Sequence, residues 1–466
     1  MSVLASMLSS VLALACAADE SVEATARRLV QEATTRSQAH AILTELCDGI
    51  GHRLSGSDNA ARAVEWGAQI CERVGADAVT KQAIKVPKWV RGEPEEFEIL
   101  APTHHRLIGL ALGGSIATSA EGLVADVMVV SSFDELKARA AQAKGKIVLF
   151  DKAMGPQPDG RALGYGDVVP QRTQGAIEAA KAGAVGSLIR SVGTASYRLP
   201  HTGVMNYEDD VTKIPHAAIA SEDADLIGRL IAAGHTVRVR MKMDCRDEGM
   251  APSANVIAEI KGRERPDEIV VIGGHLDSWD VGQGALDDGV GIAACIEVIR
   301  LFSDLGLRPR RTLRVVLFMN EENGLAGGKA YAEANAGSLA KHVAAVEMDS
   351  GSFGFDGFGV TAGEGGLESL APLARILDET IGAGQFTRGG GGADIGPMRV
   401  GGVPMLGMKN DSETYFRYHH TPADTVDKVV PADLAKCSAA MAALSWWLCE
   451  SERPLPRVPP KSEGER

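Results

Sequence analysis

At 466 residues the chain is too long for one ordinary domain, so two domains and a tail are expected. Hydrophobic residues make up 45%, enough to bury large cores, which excludes a natively disordered chain. A net charge of -13 argues against nucleic acid or an anionic membrane surface as partner.

Residues 1–18 are apolar and short, and Ala15-Cys16-Ala17 suits signal peptidase, so they read as a signal peptide of a secreted or periplasmic protein. No later run approaches the ~20 apolar residues that span a bilayer. Cys47, Cys71, Cys245, Cys295, Cys437 and Cys449 form no C-x-x-C pair, which argues against a thiolate zinc site and for buried thiols. A helix is expected from about Ser21 to Glu45. Ser57 or Asp58 then caps a second, whose apolar face uses Ala61, Val64, Ala68 and Cys71. Two strand-like runs, "AVTKQAIKV" and "EEFEIL", follow.

Near residue 119 the texture changes to short β-type runs ("GLVADVMVV", "GKIVLFD", "AVGSLIRS", "PHAAIA") around one helix, "QGAIEAAKAGA". Residues 119–247 therefore read as a β-rich domain inserted into a first domain made of 19–118 and 248–451. From Asn255 onward strands and helices alternate, which predicts a three-layer α/β/α domain on a mixed sheet. Residues 452–466, rich in proline and charge, read as a disordered tail.

The chemistry lies in the second half. "EIVVIGG" reads as a buried strand, and "HLDSWDVGQGALDD" (275–288) follows at its carboxyl end, where open α/β sheets place ligands. "TLRVVLFM" ends in Asn320-Glu321-Glu322, and "HVAAVEM" ends in Asp349. Tyr418-His419-His420-Thr421 forms a fourth cluster. Taken singly, each has an innocent reading: Asp287-Asp288 as a helix cap, Glu321-Glu322 as a solvated turn, Asp349 as a turn residue, the histidine pair as surface residues. Four such clusters at sheet-edge positions, in hard-ligand types, point to a two-metal hydrolytic site. Adjacent side chains at a strand end point apart. One glutamate can therefore hold an ion while the other moves a proton.

"GGHLDSWDVGQGALDDGVG", "NEENGLAGGKAYA", "EMDSG" and "YHHTPADT" together resemble the co-catalytic di-zinc exopeptidases, most closely their carboxypeptidase Q branch. "IGHRLSGSDNAARAVEWG" is similar to that branch's N-terminal segment, and the insert resembles a protease-associated domain. The resemblance implies two Zn2+, bridged by Asp287, with His275 and Asp349 completing one site and Glu322 and His420 the other. It implies Glu321 as general base, Asp277 as the group orienting His275, His419 as a candidate oxyanion partner and a cis Asp287–Asp288 peptide. The implied reaction is hydrolysis of unsubstituted dipeptides or short peptides through a metal-bridging hydroxide. A broad aminopeptidase of the same family, a non-catalytic receptor-like relative and a homodimer stay open. The glycine run "TRGGGGADIGPMRVGG" is expected to border the pocket.

Overall fold

Alternating apolar residues in two central strands divide their side chains between two cores. In Arg265–His275, Val270 and Ile272 enter one core while Ile269 and Val271 enter the other. In Arg311–Phe318, Leu313, Val315 and Leu317 face the first core, and Val316 and Phe318 the second. This period of two makes both faces of the sheet apolar, so helices must cover both. Val22–Thr35, Ala39–Gly49, Asp58–Arg73, Val290–Asp304 and Pro431–Glu450 cover one face, and Ala326–Ala334 packs Tyr331 and Ala332 on the other. Val290–Asp304 is apolar nearly all round and is buried from Val290 to Phe302, as a helix wedged between layers must be. The protein, seen in a computed structural model, is described over residues 21–157 and 162–459. The signal-peptide segment 1–18 and residues 460–466 of the expected tail lie outside the described residues.

The first sheet runs Ala78–Val90, Arg246–Ile260, Arg311–Phe318, Arg265–His275, His342–Glu347, Met405–Lys409, Gly357–Thr361, Thr387–Arg388. Its centre, from Arg311–Phe318 to Met405–Lys409, is parallel, and antiparallel pairs flank it, so the sheet is mixed as expected. Three parallel strands thus deliver His275, Asn320-Glu321-Glu322 and Asp349 to one edge.

A second sheet of eight strands takes its members from Glu96–Ala101 to Arg238–Lys242. Its faces are covered by Tyr165–Lys181 on one side and Ser221–Ala232 on the other. The expected boundary at residue 119 therefore needs correction. Glu96–Ala101, His105–Leu107 and Gly109–Ala111 precede it yet pair in this second sheet. "EEFEIL" has strand character whichever sheet it joins, and pairing partners decide. The chain crosses between the two units along one ribbon, Ala78–Val90 antiparallel to Arg246–Ile260.

The tail expectation also needs correction where the structure describes it. Leu455 and Val458 are buried, Gly363 N–H donates to the Pro456 carbonyl (2.8 Å), and the Arg457 guanidinium donates to the carbonyls of Leu339 (2.9 Å) and His342 (3.0 Å). Apolar side chains between the prolines anchor 452–459 to the catalytic domain. The six cysteines from Cys47 to Cys449 are buried and unpaired, and burial pushes the Cys47 thiol up to about 12.

Candidate metal centre

Each functional side chain is held by backbone it did not choose locally. His275 closes its strand, and its Nδ1 lies 3.0 Å from the main-chain carbonyl of Asp277. A carbonyl only accepts, so Nδ1 carries the proton and Nε2 presents a lone pair. That lone pair faces carboxylates: Asp287 Oδ1 at 3.1 Å and Asp349 Oδ1 at 3.6 Å. His420 repeats the arrangement. Its Nδ1–H points to the carbonyl of Thr202 (3.2 Å), and its Nε2 faces Glu322 Oε2 at 3.0 Å and Asp287 Oδ2 at 3.3 Å. In a neutral histidine, lone pair against carboxylate is repulsive. Only a proton or a cation reconciles the two. Asp287 Oδ2 is moreover buried without a hydrogen bond.

Burial alone would lower the pKa of His275, but Asp287 and Asp349 raise it well above the usual imidazole range. Burial works against His420 in the same way, and Glu322 and Asp287 outweigh it. Asp287 is the converse: burial would raise it, and His275 and His420 hold it well below the usual carboxylate range. Burial, aided by Asp287, raises Glu322 to about 7. Glu321 is pushed well up by burial, with Asp349 and Glu322 adding to it against His275.

The ligand atoms of His275, Asp287 and Asp349 lie within 4.8 Å of one another, and so do those of Asp287, His419 and His420. The second group draws in His419 by distance. Nevertheless, His420 is the better ligand: its Nδ1 is anchored, whereas His419 Nδ1 is buried with no partner. The two rings stack with centroids 3.6 Å apart. The donor set, two imidazoles and three carboxylates sharing Asp287, fits zinc.

Asp277 meets His275 through its main chain. Its carbonyl, not its carboxylate, orients His275; the carboxylate Oδ1 stands 3.9 Å from Nδ1. That oxygen instead accepts from the backbone N–H groups of Asn320 (2.7 Å) and Glu321 (3.1 Å), tying the two strand ends together. A side chain two residues on in a turn competes with its own main chain, and the sequence shows no sign of which wins. Of Asp287-Asp288, joined by a cis peptide, only Asp287 faces the centre. Asp288 does the capping, accepting from His275 N and Gly291 N at 3.1 Å each.

Two residues that sequence reasoning left without a role hold the Asp287 turn. Asp424 accepts from the backbone N–H of Ala285 (3.0 Å), Leu286 (2.7 Å) and Asp287 (3.2 Å). Buried Arg53 donates to the carbonyls of Leu276 (2.7 Å), Gln283 (2.6 Å) and Gly284 (3.0 Å). Both sit in quoted stretches, "YHHTPADT" and "IGHRLSGSD", but a polar residue in a loop carries no mark of which backbone it will satisfy. The expectation that the glycine run borders the pocket needs correction: none of its residues lines it, and its Asp394 is buried, raised well above its ordinary range by burial and by Glu347.

The centre opens into a pocket of about 490 Å³. Asp287, Glu321, Glu322, Asp349, His419 and His420 line it together with Tyr165, Arg172, Val204 and Asn206 of the insert. The insert is fixed there. Trp279 joins the insert's core, Asp280 forms a two-point ion pair with Arg91 (2.6 and 2.8 Å), and Thr202 N–H donates to the His420 carbonyl (2.8 Å).

Residues 255–445 match the sequence profile of Peptidase family M28. The chain is 38% identical to human (Homo sapiens) carboxypeptidase Q over 422 residues, 91% of this chain and 87% of the relative. It superposes on the crystal structure of a peptidase M28 precursor from Shewanella amazonensis with a TM-score of 0.89 and 38% identity, covering 94% of this chain and 99% of that one. A zinc aminopeptidase from Bacillus subtilis shares the fold, with a TM-score of 0.64 and 20% identity over 89% of this chain and 95% of that chain.

Proposed function

Because the chain belongs to Peptidase family M28 and is a zinc metallopeptidase, we propose that it holds two zinc ions and splits unsubstituted dipeptides into amino acids. His275 and Asp349 would hold one ion, Glu322 and His420 the other, and Asp287 both. Zinc bound there supplies Lewis acidity, polarising the peptide carbonyl and lowering the pKa of a water. Glu321 takes the proton of the attacking water and delivers it to the leaving nitrogen as the C–N bond breaks. Burial of Glu321 suits it to both halves of that transfer. Asp277 and Asp424 position the backbones of Glu321 and Asp287.

The observation that carries the substrate reading is the second wall of the pocket. Tyr165 and Val204 of the insert line the same pocket as Glu321, which leaves room for a short substrate, whereas a long chain would meet the insert. The carboxypeptidase Q relatives support an exopeptidase of this kind. The test is zinc analysis of purified protein beside a length series with a common N-terminal pair of residues. Two zinc per chain and rapid cleavage of the dipeptide alone are expected. A tetrapeptide cut as fast as the dipeptide, with single residues released from its N-terminus, makes the enzyme an aminopeptidase instead.

A further inference from the structure

Arg172 reaches the pocket from the insert helix Tyr165–Lys181 and is buried. No carboxylate of the described residues pairs with it, and its Nε has no hydrogen-bond partner. Among the described residues, the only polar contact of its guanidinium is Nη1 to His420 Nδ1 at 3.4 Å. That contact does not satisfy it. His420 Nδ1 must carry a proton to meet the Thr202 carbonyl, and a protonated nitrogen cannot accept a second one. The group is nonetheless held in place: it lies over the Tyr165 ring (5.5 Å), and Gly203 makes room for it, since a Cβ there would come within 2.4 Å of Nη1. An unpaired buried guanidinium costs several kcal/mol. A protein that builds a cradle for one at the pocket wall has left its anion to be supplied from outside.

We propose that Arg172 binds the free α-carboxylate of the substrate's C-terminal residue, and that this ion pair sets the dipeptide limit. The inference rests on the dipeptide reading above. In a dipeptide the carboxylate carbon is three bonds from the scissile carbon, so the two lie within about 4 Å. Arg172, in contact range of His420, stands at that reach from the centre. A planar guanidinium matches a carboxylate with two parallel hydrogen bonds. A longer peptide offers a neutral amide at the same place. It leaves the cation unpaired, and such buried mismatches discriminate strongly.

The test compares zinc-loaded wild type, Arg172→Met, Arg172→Lys and Gly203→Ala on one dipeptide and its C-terminal carboxamide. Zinc content and thermal melting are recorded for each. Wild type is expected to favour the acid by on the order of 10²-fold in kcat/KM. Arg172→Met should remove that preference by raising KM for the acid while the amide rate stays put. Arg172→Lys should recover part of it, and Gly203→Ala should lower it by displacing the guanidinium. Equal loss on acid and amide in Arg172→Met would assign the residue to His420 or the scissile carbonyl and overturn the proposal. Equal wild-type rates on acid and amide overturn it without any variant. If wild type remains confined to dipeptides and the acid preference survives in Arg172→Met, only the Arg172 assignment fails. If wild type degrades the tetrapeptide as fast, the dipeptide reading itself fails.

Discussion

One wall of the pocket takes Glu321, Glu322 and Asp349 from strand ends that flank the strand of buried His275, all three strands being parallel. A second wall takes Tyr165, Arg172, Val204 and Asn206 from one helix and a loop of the insert. The first wall is rich in carboxylates and satisfies them with histidines and backbone N–H groups. The second offers a cation and a main-chain carbonyl, that of Thr202, to the first. The proposed function therefore assigns proton transfer and metal binding to the sheet edge, and the limits of the substrate to the insert. The difference teaches that a sheet edge can carry one chemistry while a second unit, built on its own sheet, shapes what reaches it.

The division is broken most sharply at Glu321. Glu321→Gln should lower kcat by about 10²–10⁴ with zinc content unchanged, since it removes a proton carrier and not a ligand. Glu322→Gln should instead lower zinc content, measured by metal analysis. Zinc lost from the first variant and kept by the second would reverse the two assignments.

Asp424→Ala tests whether the sheet-edge wall is held by its second layer. Three backbone donors lose their acceptor, at about 1–3 kcal/mol each. A lower melting temperature and weaker zinc retention are expected from calorimetry and dialysis against chelator. An unchanged melting curve would mean that water replaces the carboxylate.

Acid should weaken both units alike. Buried His216 in the insert and His342 at the start of a main-sheet strand have their pKa lowered by burial from 6.5 to about 4. The unfolded chain takes up their protons at a pH where the folded one does not. Stability is therefore full above about 6.5 and falls until about 4, by roughly 3 kcal/mol for each histidine. Denaturant melts between pH 7 and 4 check this. His216→Gln and His342→Gln should each flatten the slope, and a slope unaltered in either would exempt that unit.

The smallest effect is expected at the seam. Asp280→Asn weakens the ion pair that fixes Arg91 of the insert, by about 1–2 kcal/mol. The ratio of dipeptide to tetrapeptide cleavage should fall by up to about tenfold, with dipeptide kcat little changed. A fall in dipeptide kcat with an unaltered ratio would show that the seam serves the sheet edge and not the substrate limit.

The convergence of the strand-end residues was legible because they sit where a pattern of period two ends: apolar runs announce the strands, and their last residues must lie at the sheet edge. Asp287 was legible from the helix that follows it. Which group of Asp277, carboxylate or carbonyl, meets His275 was not, because turn geometry alone selects one. Strands such as Glu96–Ala101 carry the same alternation in either sheet, so the insert's true start was hidden as well.

Local periodicity and residue type therefore determined the α/β class, the strand-end cluster and the chemistry it can support. Tertiary structure alone decided that Thr202 anchors His420 and that Arg172 faces the centre. Those contacts join residues 218 and 248 positions apart. Side-chain patterning acts over a few residues, and contacts of that span are set only when distant segments of the chain pack together.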